Sequence, residues 1–283
     1  MSMIYQPETV EEALELLGRE GTMACAGATN LYVDRKHGKC LDLDYVSLDR
    51  LKDLKEISRE QDGWHLGSMV NFGQLEQWEV PFAAALSQAA AMVGGPQIRN
   101  RGTIGGNIIS ASPAADTVPP LMALDACLLL ERAGGEARLV PVAEFMKGPG
   151  QVDMLPDELL TEIIVPEKEG ISLFYKAGRR NALAISVCSQ AVYMNCDGGR
   201  ITEIGVSLGS VAPTAVRAVR VENMLLGTRR ASLEGDVYRQ ELCRALMEDI
   251  APIDDIRATA EYRRHIAYRM LIHNLKELWR GME

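Results

Sequence analysis

The sequence predicts an α+β fold in two units, on three observations. Strand-like runs are followed by helical runs in blocks, instead of alternating one for one. The 283 residues correspond to about two domains at about 150 residues each. A polar segment, Pro166 to Gly170, separates a first block from a second in which strands precede helices. Composition agrees: apolar types make up 47% of the chain and charged types 24%, which suits a packed core and excludes long disorder.

Thr9 caps an opening helix, with Glu12 three residues on as a capping box and Val10, Ala13, Leu14 and Leu17 on one face; Gly18 ends it. A strand over 22–26 runs into Gly27-Ala28-Thr29-Asn30, and alternation at Leu41, Leu43 and Tyr45 predicts a second strand. Asp62-Gly63, set between Ile57 and the run from Trp64 to Gly67, reads as a hairpin turn. Asn71 caps a short helix through Trp78, and 81–93 is Ala-rich and helical up to Gly94-Gly95-Pro96. Residues 98–120 lack a sustained period and are expected to form a long functional loop. Leu121 to Ala126 reads as helix. Strands are expected from Cys127 to Glu131 and Ala137 to Val140, about Gly134-Gly135, and from Leu160 to Val165. Beyond the boundary, strands are expected at Ile171 to Tyr175, Ile185 to Tyr193 and Ile201 to Leu208, the last two joined by Asp197-Gly198-Gly199. Helices follow over about 216–226, 236–250 and 258–279, the last with Tyr262, Ile266 and Met270 in register.

A net charge of -9 argues against a nucleic-acid partner or a polybasic membrane anchor. No apolar run reaches the length of a membrane span, and Met1 to Val10 lacks the basic and apolar regions of a signal peptide. The six cysteines (Cys25, Cys40, Cys127, Cys188, Cys196, Cys243) include no CxxC pair, which disfavours zinc and iron–sulfur clusters and fits reduced thiols in a cytoplasm. His37, His65, His265 and His273 form no HExxH and are expected as surface or capping residues, so no metal site is predicted.

The chemical signal is a pair of glycine segments. Ala26-Gly27-Ala28-Thr29-Asn30 follows a strand, and Gly102-Thr103-Ile104-Gly105-Gly106-Asn107 lies in the unpatterned stretch. Successive N–H groups in tight turns make concave anion sites, and glycine allows close approach of a phosphate. Thr29, Asn30, Thr103 and Asn107 add short donors. Facing each other, the two segments would grip a diphosphate from both sides without a lysine. Each also reads as a plain turn. Neither is a Walker A loop, and neither fits GxGxxG opening a helix, so a Rossmann site is disfavoured.

The stretch from Gln97 to Asp125, QIRNRGTIGGNIISASPAADTVPPLMALD, resembles the signature of the FAD-binding (medium) subunit of molybdenum hydroxylases, the xanthine dehydrogenase and carbon monoxide dehydrogenase flavoprotein family. AGATNL at 26–31 is similar to that family's AGGTDL loop. ELLTEIIVP, FYKAGRRNALAIS and AEYRRHIAYRMLIHNL resemble further family segments and occur in the right order, so the resemblance spans nearly the whole chain.

That resemblance implies the vanillyl-alcohol-oxidase-like (PCMH-type) FAD fold: two α/β subdomains, about 1–56 and 57–167, and a smaller C-terminal α+β domain over 168–283. It implies that Ala24, Cys25, Ala26, Gly27, Ala28, Thr29, Asn30 and Leu31 line the FAD diphosphate. Thr103, Ile104, Gly105, Gly106 and Asn107 would form the opposite phosphate and ribityl wall. Asp116 would accept from FAD hydroxyls, Val93 and Leu160 would give apolar contacts, and Lys176 would approach the ring end. Asp116 also reads as the head of an Asx turn, and Lys176 as a solvated lysine. Two departures stand out: Ala28 replaces the family's second loop glycine, where φ > 0 would strain an alanine, and Asn30 replaces an acid. The loop holds no histidine, so FAD is expected to be non-covalent, with Cys25 the alternative tether.

The implied function is electron transfer. A partner large subunit would carry molybdopterin and hydroxylate the substrate, a small subunit would carry [2Fe–2S] clusters, and this flavin would pass electrons to NAD+ or a quinone. No residue of this chain is expected to be catalytic by itself. An extra cysteine-rich cluster, as in reductases of aromatic acyl-thioesters, is absent. The alternatives are an autonomous reductase like UDP-N-acetylenolpyruvoylglucosamine reductase, and a scaffold that has lost FAD.

Overall fold

The computed structural model describes residues 2–180 and 183–282, so Asn181 and Ala182 of the FYKAGRRNALAIS stretch lie outside the described residues. An N-terminal layer holds a three-stranded parallel sheet in the order Ile4–Tyr5, Asp44–Ser47, Thr22–Cys25. The helix Val10–Leu17 covers it, burying Ala13, Leu14, Leu16 and Leu17 against Val46, Leu48 and Leu51. Its cap departs slightly from the expected box. Thr9 Oγ1 accepts from the Glu12 N–H at 3.2 Å, but the Glu12 carboxylate accepts from the N–H of Glu8, one residue before the cap.

A second layer is an antiparallel five-stranded sheet, ordered Ile57–Arg59, Trp64–Gly67, Leu159–Val165, Cys127–Glu131, Ala137–Pro141. Its inner face packs on Phe72, Leu75, Leu86, Ile104, Ile108 and Leu121 in the largest core. The two hairpins turn where the sequence marks them, with Gly63 at φ +145 and Gly134-Gly135 at φ +90 and +83. His65 is not at the surface as expected: its ring bridges Asp62 and Glu162 at 2.9 and 2.8 Å, in a side chain 12% exposed.

The C-terminal layer is a four-stranded antiparallel sheet, Ile171–Gly178, Ser186–Asp197, Arg200–Gly209 and the edge pair Val216–Arg217. One face carries Val219–Leu225, Asp236–Asp249 and Ala260–Gly281, which bury Val221, Leu242, Leu246, Ala267, Leu271 and Leu275. The other face meets the first block. Ala85, Ala89 and Ala123 pack on Phe174 and Ala191, and a Cβ on Gly205 would lie 2.0 Å from the Ala123 carbonyl oxygen. Ala85 N–H donates to Ser172 Oγ at 2.9 Å and Phe174 N–H to Gln88 Oε1 at 2.8 Å, so the contact has fixed polar register.

Four further expectations need correction. Residues 98–120 are not one long loop: the helices Pro96–Arg99, Ile104–Ile109 and Val118–Ala123 interrupt them, leaving 100–103 and 110–117 as the irregular connections. Each is one or two turns long and rich in Gly or Pro, which removes the helical period, yet Pro at the first positions of two of them is compatible with helix. The second N-terminal strand is Asp44–Ser47, with Leu41 exposed before it. The turn after Gly27 leads into an unpredicted helix, Leu31–Lys36. Val216–Arg217 pairs as an edge strand, and the helix begins only at Val219.

Candidate functional site

Strand Thr22–Cys25 delivers the chain to a turn at Gly27 to Asn30, just before helix Leu31–Lys36. Among the described residues, no backbone N–H of Gly27, Ala28, Thr29 or Asn30 donates to another protein group. Four consecutive free donors in a partly exposed turn are what an anion needs. Ala28 takes φ +60, the strained conformation expected for a glycine position. Replacing Ala28 by glycine should therefore relieve on the order of 1 kcal/mol, and thermal denaturation should show a midpoint higher by about 3 °C.

The turn is pressed against the second glycine segment. A Cβ on Gly27 would lie 1.7 Å from the Arg101 carbonyl oxygen. The Asn30 side-chain amide reaches Ser110 Oγ at 3.4 Å. The segment itself differs from the expected second row of free donors. Thr103 is the N-cap of helix Ile104–Ile109, its hydroxyl accepting from Gly106 N–H at 3.1 Å. The N–H groups of Ile104, Gly105 and Asn107 donate to Val70, Ser68 and Thr103 carbonyls. Gly105 is required by contact, since a Cβ there would stand 2.8 Å from Ser68. This segment thus offers glycine surface, the Asn107 side chain and, among the described residues, a single N–H without an internal acceptor, that of Thr103, whereas the first turn offers four in a row.

Beyond it lies a cleft of about 580 Å³ between the two blocks, whose walls include Val93, Asn107, Pro113, Asp116, Lys176 and Ser186. Its volume falls in the range of small-ligand sites, about 300–1,000 Å³. Lys176, on strand Ile171–Gly178, donates to Asp116 Oδ2 at 2.5 Å and to the Met92 carbonyl at 3.1 Å. Asp116 Oδ1 accepts from Ser186 Oγ. Burial pushes the Asp116 carboxyl above its ordinary range, and Lys176 followed by Ser186 pulls it back part of the way. Asn107 Oδ1 accepts from Thr117 Oγ1 at 2.7 Å.

Of the residues expected from the sequence, Val93, Asn107, Asp116 and Lys176 therefore share one cleft. Ala24 packs partly against the N-terminal core, and Cys25, Ala26 and Leu31 are partly buried along the strand and turn. Ile104 and Leu160 have core side chains, at 0% and 1% exposure, and neither lines the cleft. Sequence reasoning did not find Ser186, Ser210 or Arg263, which do line it. Ser186 and Arg263 stand inside quoted family-like stretches, but their partners are 70 and 76 residues away, so no local pattern marks them.

The fold and site define a class: a nucleotide-cofactor protein of two α/β layers and an α+β layer, with free N–H donors on one and a cleft at the junction. The comparisons identify the family. Residues 1–168 match the FAD binding domain in molybdopterin dehydrogenase, and residues 173–278 match the CO dehydrogenase flavoprotein C-terminal domain. The chain belongs to this family of FAD-dependent oxidoreductases. It is 30% identical over 273 residues to the xanthine dehydrogenase FAD-binding subunit of Escherichia coli O157:H7, covering 94% of this chain and 92% of that one. It is 30% identical over 278 residues to the glyceraldehyde dehydrogenase medium chain of Sulfolobus acidocaldarius, covering 96% of each. Its fold matches reconstituted CO dehydrogenase from Oligotropha carboxidovorans with a TM-score of 0.90 at 26% identity, over 99% of this chain and 98% of that one. The CO dehydrogenase of Hydrogenophaga pseudoflava matches at 0.88 and 28%, over 98% and 97%. The C-terminal match disfavours the UDP-N-acetylenolpyruvoylglucosamine reductase reading. Among the described residues, no helix is long and apolar enough to cross a membrane.

The residues present fit FAD. Free N–H groups at Gly27 to Asn30 suit its diphosphate, and the largely apolar cleft with the buried Asp116–Lys176 pair in its wall suits a planar ring with polar edges.

Proposed function

We propose that this chain is the FAD-binding electron-transfer subunit of a molybdenum hydroxylase complex, acting in the cytoplasm. The observation that carries this reading is the free N–H row at Gly27 to Asn30, joined through Arg101 and Ser110 to the segment that leads into the Asp116–Lys176 cleft. Bound FAD supplies one- and two-electron redox chemistry. The chain's part is to hold it. Gly27, Ala28, Thr29 and Asn30 donate to the diphosphate, while Thr103, Gly105 and Gly106 form the facing wall. Asn107 and Asp116 meet its hydroxyls, Val93 gives an apolar contact, and the Lys176 ammonium stands near the ring end. Ile104 and Leu160 support these groups from the core.

FAD is held without a covalent bond. The loop has no histidine, and burial pushes the Cys25 thiol up, away from the reactive thiolate. The working units are 1–167 and 168–283, a division supported by the two family matches. Partners are a large molybdopterin subunit, where the organic substrate is hydroxylated, and a small [2Fe–2S] subunit. Electrons leave to NAD+ or a quinone.

Purified protein should be yellow and release FAD on acid precipitation. A colourless protein that added FAD does not restore would overturn the reading. The isolated chain should not turn over purines or aldehydes, and steady turnover by the chain alone would count equally against it.

A further inference from the structure

Ser186 begins the long strand Ser186–Asp197 and is 1% exposed, yet it lines the cleft. Its hydroxyl donates to Asp116 Oδ1 across 70 residues of sequence, on the oxygen that Lys176 leaves free. The three residues come from three elements: the turn before helix Val118–Ala123, the strand Ile171–Gly178, and the start of Ser186–Asp197. The strand end that carries Ser186 is held in place through its neighbour Val187. Arg263, 4% exposed on helix Ala260–Gly281, donates to the carbonyls of Val187 and Ser210 at 2.7 Å each and to Asp255 at 2.6 Å. Ser210 N–H in turn donates to the Pro113 carbonyl, three residues before Asp116. One buried guanidinium therefore ties the strand end carrying Ser186 to a residue bonded to the segment carrying Asp116.

A carboxylate and an ammonium in contact cancel, so the cleft wall is nearly neutral at this point while Asp116 is ionised. A buried carboxylate left without one of its donors favours its protonated form. Protonation would leave the Lys176 ammonium uncompensated beside whatever occupies the cleft. The other charged groups lining the cleft, Asp255, Arg257 and Arg263, are bonded to one another, with Arg257 and Arg263 on Asp255 at 3.0 and 2.6 Å.

We propose that Ser186 is a positioning residue of the cofactor site, keeping the Asp116–Lys176 pair charge-neutral where it faces the flavin. This rests on the FAD reading above. The test compares the wild type with Ser186→Ala and Ser186→Thr, each loaded with FAD. FAD affinity is measured by fluorescence, and the flavin midpoint potential by dye equilibration from pH 6 to pH 9. Ser186→Ala should weaken FAD only indirectly, by less than the full hydrogen bond it removes, because that bond holds the Asp116–Lys176 pair and not the cofactor. It should also make the potential more positive at the acidic end, with a break in its pH dependence that the wild type lacks in this range. Ser186→Thr keeps the hydroxyl and should restore the wild-type profile. An alanine variant with unchanged potential and unchanged pH profile would overturn the proposal, even if its affinity fell. Failure of the wild type itself to take up FAD would instead overturn the cofactor reading.

Discussion

Replacing Gly27 by alanine should abolish FAD retention, with affinity lowered by more than about 100-fold, on the order of 3 kcal/mol. The new methyl would stand 1.7 Å from the Arg101 carbonyl oxygen. That distance is far inside contact; the Cβ is fixed by the backbone that bears it and the oxygen is itself backbone, so neither can rotate away. The turn at 27–30 and the chain at 101–102 must separate by an ångström or more. The same movement displaces the four free N–H groups and strains the Asn30 to Ser110 contact. Overpacking of this kind also lowers stability, and for a chain of this size a thermal midpoint lower by about 5–10 °C is expected. The control is Ala28→Gly, one residue on, which relieves strain and should move both readouts the other way. Isothermal titration of the apoprotein with FAD checks the affinity. An alanine variant that binds FAD within a factor of about three of the wild type would remove the diphosphate from this turn.

The contrast between Gly27 and the 102–107 segment shows where sequence carries the site and where it does not. The N-terminal turn is legible because it breaks a strand: Thr22 to Cys25 runs as β, and Gly27 follows at once. The hairpins at Asp62-Gly63 and Gly134-Gly135, and the long terminal helix, are legible for the same local reason. Residues 104–109 look unstructured because glycines disfavour helix. They are helical because Val70 and Ser68 supply acceptors from another part of the chain and Thr103 supplies a cap. A segment held by distant backbone groups leaves no period to read. The cleft divides in the same way. Asp116 and Lys176 are reached through resemblance, each as a separate contact to FAD, whereas the structure shows them bonded to each other. Ser186 and Arg263 carry no motif, because their importance lies in what they touch.

Replacing Lys176 by methionine should expose what that bond does, because it leaves a buried carboxylate without its cation. Asp116 is 7% exposed. Breaking a buried pair from one side typically costs about 3–5 kcal/mol, more than the intact pair contributes. The cost should depend on pH, with a sign that follows from the direction of the Asp116 shift. Burial already holds its folded pKa above the ordinary carboxylate value. The folded state therefore keeps a proton that the unfolded chain has lost, and stability falls as pH rises through the window between those two values. Removing Lys176 widens that window upward. The Lys176→Met variant should then be close to wild type in thermal midpoint near pH 5, where Asp116 can take a proton, and much less stable near pH 8. The double variant Lys176→Met with Asp116→Leu should recover most of the loss at pH 8, since two apolar groups of similar size replace both charges. FAD binding should stay weak in both variants, because the ammonium is absent in each. Stability and cofactor binding thus separate: the first depends on the pair being matched, the second on the cation being present. Equal deficits at pH 5 and pH 8, or a double variant as unstable as the single one, would show that Asp116 carries no charge there and that the neutral-pair picture of the cleft is wrong.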